Sequence, residues 1–183
     1  MARHAGVISL RPSGLVRAAA LVLIWCLCAG GAAQAFDRYT AHGGPVRDLT
    51  LSPDGSTLVS ASFDYSAVIW QAPDIIEKNV LYAHEAAVNT ARFAPDGRLL
   101  ATAGDDGRIY LWPQNILGDE DPQPVILEGH RGKIVNLAFS DDGRLLVTSR
   151  EESKLWVLDP ASLEIVREIA LDGIGHQISL EKQ

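Results

Sequence analysis

Ser60, His42 and Asp64 together have the composition of a hydrolase triad: a hydroxyl, a base to activate it and a carboxylate to orient the base. The same residue types return further along the chain, as Thr102 with His84 and Asp106, and as Thr148 with His130. A nucleophile is needed once, whereas this set recurs three times with Ser and Thr interchanged. Recurrence therefore favours a structural role, and no His or carboxylate pair stands outside the register beside a nucleophile or metal ligands. The cysteines, Cys26 and Cys28, both precede residue 36, so the rest of the chain has no thiol, no Cys-based zinc site and no Cys-x-x-Cys-His for haem. Asp119-Glu120-Asp121 lacks the spaced ligands and closing Glu of a calcium loop and reads as solvated. The expectation is a chain with no catalytic residues, no metal and no cofactor.

The elements that must position these residues are legible as a repeat. His42 to Trp70, His84 to Trp112 and His130 to Leu158 align with their histidines 42 and 46 residues apart, the range of propeller and solenoid repeats. After each histidine comes an apolar triplet: Val46, Leu49 and Leu51; Val88, Ala91 and Phe93; Ile134, Leu137 and Phe139. A Pro/Asp-Asp-Gly turn follows, its glycine (Gly55, Gly97, Gly143) supplying the positive φ of a hairpin, and then a second apolar run. The spacing predicts four antiparallel strands per unit. These are 46–52, 57–61, 67–71 and 79–83 in unit one, and 88–94, 98–103, 108–112 and 124–128 in unit two. Unit three gives 134–140, 144–149, 154–158 and 165–171.

These units resemble WD40 repeats over residues 36 to 176, which implies an all-β fold of propeller blades at about 42–83, 84–129 and 130–175. In that family a blade is braced by the opening His, a Ser/Thr of the second strand, an Asp of the next turn and a Trp of the third strand. The matching positions are His42, Ser60, Asp64 and Trp70, then His84, Thr102, Asp106 and Trp112. Unit three keeps His130 and Thr148 but has Glu152 for the Asp and Leu158 for the Trp, with Trp156 two residues early, so its brace is expected to be the loosest. The resemblance also implies a protein partner, docking on the face that carries the His-to-strand loops and the turn before the bracing Asp. The matching residues are Pro45, Arg47 and Phe63; Ala87, Asn89 and Asp105; and Lys133, Val135 and Glu151. Phe63 is singled out as an aromatic in a turn, the kind of residue that anchors interfaces.

Residues 1–35 differ from the rest. Arg3, Arg11 and Arg17 with no acid, the apolar run Ala18 to Cys28 and the Ala33-Gln34-Ala35 pattern read as a secretory signal, with the 36–183 repeat region released to periplasm or exterior. The apolar run is short of the ~20 residues of a spanning helix, so no membrane insertion is expected after cleavage. Residues 36–183 hold 13 Lys+Arg against 23 Asp+Glu, a net charge of −10, which argues against nucleic acid as partner. Gly175-His176 opens a fourth unit, so the expectation is a propeller cut off in mid-blade, either incomplete or closing its ring by self-assembly. An alternative expectation is the sensor or scaffold part of a periplasmic redox protein related to fusions of WD40 propellers with cytochrome c.

Overall fold

Alternation of small or branched apolar residues with polar ones, punctuated by Asp-Gly turns, produces short strands joined by hairpins. The computed structural model describes residues 41–113, 116 and 122–171. The expected signal at 1–35, the segment Phe36 to Thr40, the loop acids Asp119 to Asp121 and the histidine of Gly175-His176 lie outside them. Three four-stranded antiparallel sheets are formed. The first comprises β1 (Val46–Leu51), β2 (Thr57–Ser62), β3 (Ala67–Gln71) and β4 (Ile76–Leu81). The second comprises β5 (Val88–Phe93), β6 (Leu99–Gly104), β7 (Ile109–Pro113) and β8 (Val125–Leu127), and the third β9 (Ile134–Phe139), β10 (Leu145–Ser149), β11 (Lys154–Asp159) and β12 (Glu164–Ala170). Each sheet runs in chain order, as a meander. β4 begins at Ile76, three residues before the expected 79, because Gln71 already pairs with Ile76 across a tight turn in which Ile75 is left-handed at φ 53°.

The sheets stack face to face. Val59, Ala61, Ala67 and Ile69 of the first meet Leu100, Tyr110 and Trp112 of the second. Ala101, Ala103, Ile109 and Leu111, on the second sheet's other face, meet Leu137, Leu145, Val147, Trp156 and Leu158 of the third. The inner strands are also tied by polar groups: Asp48 receives the Ala91 N–H at 3.0 Å and pairs with Arg92, and Asn89 Nδ2 donates to the Ile134 carbonyl at 2.9 Å. One close approach demands a glycine. A Cβ on Gly104 would lie 2.1 Å from the Ala87 carbonyl oxygen.

The third sheet departs from the repeat by one residue, in its second strand. Leu51 faces Leu58 and Phe93 faces Leu100, but Phe139 faces Leu145 where the alignment puts Leu146. Likewise Ser60 faces Val68 and Thr102 faces Tyr110, whereas the partner of Trp156 is Val147 and that of Thr148 is Leu155. The first turn is shorter: Ser52 N–H reaches the Thr57 carbonyl and Ala94 N–H that of Leu99, but Ser140 N–H closes on Arg144. The turn between β10 and β11 takes up the extra residue. Side chains alternate with period two, so a one-residue slip sends each side chain of β10 to the opposite face. Leu145-Leu146-Val147 offers an aliphatic residue in either register, and Leu145 and Val147 are the ones buried against the second sheet.

Candidate functional site

In the first two sheets the recurrent polar residues form a continuous chain of hydrogen bonds. His42 Nδ1–H donates to Asp64 Oδ2 at 2.9 Å, the Ser60 hydroxyl donates to His42 Nε2 at 2.7 Å, and Trp70 Nε1–H donates to Ser60 Oγ at 2.9 Å. His84, Asp106, Thr102 and Trp112 repeat the chain at 2.8, 2.9 and 3.0 Å. A carboxylate can only accept, which fixes the proton on Nδ1 and leaves Nε2 to accept from the hydroxyl. Burial raises the Asp64 carboxyl, but hydrogen bonds from Ser66, His42 and the Gly43 N–H outweigh it and bring it down to about 2. Burial likewise raises Asp106, and His84 with the Arg108 and Glu85 N–H groups brings it below the usual carboxylate range. Although Ser60, His42 and Asp64 have the connectivity of a triad, Ser60 is buried and its oxygen already receives an indole proton. The arrangement holds a turn against a sheet and presents no nucleophile to solvent.

The third sheet lacks this chain. Among the described residues, the buried side-chain polar atoms without a hydrogen-bond partner are His130 Nδ1, Thr148 Oγ1, Ser149 Oγ, Glu152 Oε2 and Trp156 Nε1. The assignment of Thr148 to the brace is corrected by the register: Val147 occupies the place of Thr102, and Thr148 points to the other face. Trp156 takes the position of Tyr110, its ring stacked 4.1 Å from His130 as Tyr110 lies 4.2 Å from His84. Glu152 Oε2 stops 3.6 Å short of His130 Nδ1. Burial pushes the His130 ring below its ordinary 6.5, with Glu152 opposing only in part.

Of the residues expected on the docking face, Pro45, Arg47, Phe63 and Lys133 are exposed, and Asn89, Asp105 and Val135 are half-buried. The Arg47 guanidinium lies 4.7 Å over the Phe63 ring, a cation–π contact that holds both side chains together. Asp105 is committed on both oxygens, to Asn89 Nδ2 at 2.7 Å and to Lys133 Nζ. Two positions are corrected. Ala87 is 4% exposed, because its carbonyl receives the Asp105 N–H and packs on Gly104, so it offers no side chain to a partner. Glu151 does not stand where Phe63 and Asp105 stand: the N–H groups of those two reach the carbonyls of Pro45 and Ala87, and the equivalent bond to Lys133 comes from Arg150. Glu151 lies instead over Gly132. Arg150, exposed, was hidden from sequence reasoning because an ungapped alignment assigns its place to Glu151.

Repeated four-stranded meanders braced by His, Ser/Thr, Asp and Trp define the chain's class. The family model described as WD domain, G-beta repeat matches residues 34–71, 76–113 and 122–159, more than half of the chain. The chain belongs to the WD40 repeat family, whose members are generally non-catalytic and typically serve as protein-interaction scaffolds. The second match begins at β4 of the first sheet and ends with β7 of the second, and the third runs from β8 to β11, so these two repeats each tie one sheet covalently to the next. Over 81 residues the chain is 40% identical to a probable cytosolic iron-sulfur protein assembly protein CIAO1 homolog of Caenorhabditis elegans, covering 43% of this chain and 24% of that protein. Over 106 residues it is 33% identical to a periodic tryptophan protein 2 homolog of Neurospora crassa, covering 55% and 12% respectively. The chain thus spans at most a quarter of the length of these curated relatives. The crystal structure of the RRP9 WD40 repeats is similar in fold, with a TM-score of 0.64 at 24% identity over 74% of this chain and 40% of that one.

Proposed function

We propose that this chain is an exported, non-catalytic module that contacts a protein partner through the loop face carrying Pro45, Arg47 and Phe63. The observation that carries the reading is the pairing of an exposed arginine with an exposed aromatic, Phe63 being 40% exposed, on a turn anchored by a bonded brace. Large aromatics and arginines concentrate binding energy when a partner covers them, and a rigid turn lowers the entropic cost of presenting them. Export rests on the arginine-bearing leader, its apolar run and the Ala33-Gln34-Ala35 pattern. The contact is tested with a photo-reactive phenylalanine placed at Phe63 in the full chain expressed in its own source, with Tyr82, 77% exposed, as control position. A discrete adduct from position 63 and none from 82 is the expected result; equal labelling at both positions contradicts the reading. Mass measurement of the secreted product tests export, with a mature chain beginning at Phe36 as the expected outcome.

A further inference from the structure

The residues of the loop face join into one strip across the three sheets. Phe63 carries Arg47 on its ring, and against the rise that burial imposes, Lys133, Asn89 and, least of these, Arg47 hold the Asp105 carboxyl below the usual carboxylate range. Asp105 pairs with Lys133, whose carbonyl receives the Arg150 N–H at 2.9 Å. The slip of β10 decides the sign of the far end, because it seats Arg150 where the repeat alignment seats Glu151. The strip therefore runs from an aromatic through three cations; the Asp105 carboxylate within it is already bonded on both oxygens, and the exposed Glu151 lies at its edge, over Gly132. Among the described residues no carboxylate oxygen lies within 4 Å of the charged nitrogens of Arg47 or Arg150, although the chain as a whole has a net charge of −7.

We infer that this strip takes an extended acidic segment of a partner protein, with carboxylates on Arg47, Lys133 and Arg150 and an apolar side chain on Phe63. Guanidinium groups bind carboxylates through paired N–H donors, and Arg47, already held on an aromatic face, loses little freedom in doing so. Nucleic acid is the competing polyanion, and the acidic remainder of the chain repels a long one while tolerating a short acidic stretch. The inference rests on the proposal that this face is the contact surface and adds the chemistry of what it contacts.

The test is a fluorescence titration of the full chain with a labelled peptide of one leucine followed by alternating Glu and Asp. A peptide with Lys in place of the acids and a single-stranded oligonucleotide are run beside it. The expected result is binding of the acidic peptide alone, weakened about tenfold by Arg47→Ala and by Arg150→Glu, with Arg150→Gln intermediate and Glu151→Gln changing it by less than about twofold. Binding should also weaken as salt is raised. Circular dichroism of each variant confirms that its sheets are retained. Absence of binding, equal binding of the Lys peptide, tighter binding of the oligonucleotide, or indifference to Arg150→Glu in a folded protein overturns the inference. Crosslinking from position 63 together with no acidic-peptide binding would leave the contact face standing and remove only its assigned chemistry.

Discussion

Single atoms separate the braced sheets from the third one. Thr102 Oγ1 sits between an imidazole nitrogen and an indole N–H, whereas Thr148 Oγ1 is buried with neither. Removing a hydroxyl that satisfies two buried groups leaves those groups orphaned, while removing one that satisfies none relieves a desolvated oxygen. Thr102→Val is therefore expected to cost about 1–3 kcal/mol, and Thr148→Val to be neutral or stabilising, as read by denaturant midpoints; equal losses would contradict the register. Asp106→Ala, which strips a buried His84, should lower the melting midpoint more than Asp105→Ala, whose partners Asn89 and Lys133 reach solvent. The pH dependence has the same origin. The Asp64 carboxyl is lower in the folded chain, at about 2, than its ordinary 3.8, so its contribution is whole above pH 3.8 and is lost as pH falls toward 2. His130 is also depressed when folded, so the unfolded chain takes up the proton first and stability declines as pH drops below 6.5. Unfolding midpoints across pH 8 to 5 should decline for the parent chain and flatten for His130→Gln.

At the scale of elements, glycine placement and register carry the account. Gly104→Ala drives a methyl into the Ala87 carbonyl and is expected to cost more than about 1 kcal/mol, whereas Ser62→Ala at the matching place in the first sheet introduces no clash and loses hydroxyl contacts to the Gly44 and Pro45 carbonyls and to the Asp64 N–H. Thermal unfolding of the two variants compares them directly. Most strands were legible because alternation and Asp-Gly turns are local signals, and the error at β4 arose where a left-handed Ile75, which no local pattern announces, closed the turn early. The hydrogen-bonded geometry of the first two sheets follows positions that a fixed offset from each histidine can mark. The slip of β10 was not legible, because Ser140-Asp141-Asp142-Gly143 has the outline of the other turns and Leu145-Leu146-Val147 is apolar on both faces. Register there depends on whether Val147 or Thr148 faces Leu137, a choice made by packing against the neighbouring sheet.

Among the described residues the three sheets are joined by two apolar interfaces and by inner-strand polar ties, and the inferred strip of loop residues crosses all three. The first sheet also leaves Val46, Leu49 and Leu51 exposed by 48%, 60% and 54% on β1. Apolar residues of that extent want cover. If copies cover one another there, mass by light scattering should rise with concentration and fall back in Leu49→Lys; a mass independent of both would exclude self-association through β1. The position of β10 links these scales, since it unmakes the third brace and places Arg150 on the strip. The direct measurement is the set of cross-strand Hα–Hα contacts in the nuclear magnetic resonance spectrum of the intact chain. A contact between Leu137 and Val147 is predicted, as these are register partners. A contact between Leu137 and Thr148, matching Ala91 with Thr102 in the second sheet, would contradict the slip and with it the cationic strip.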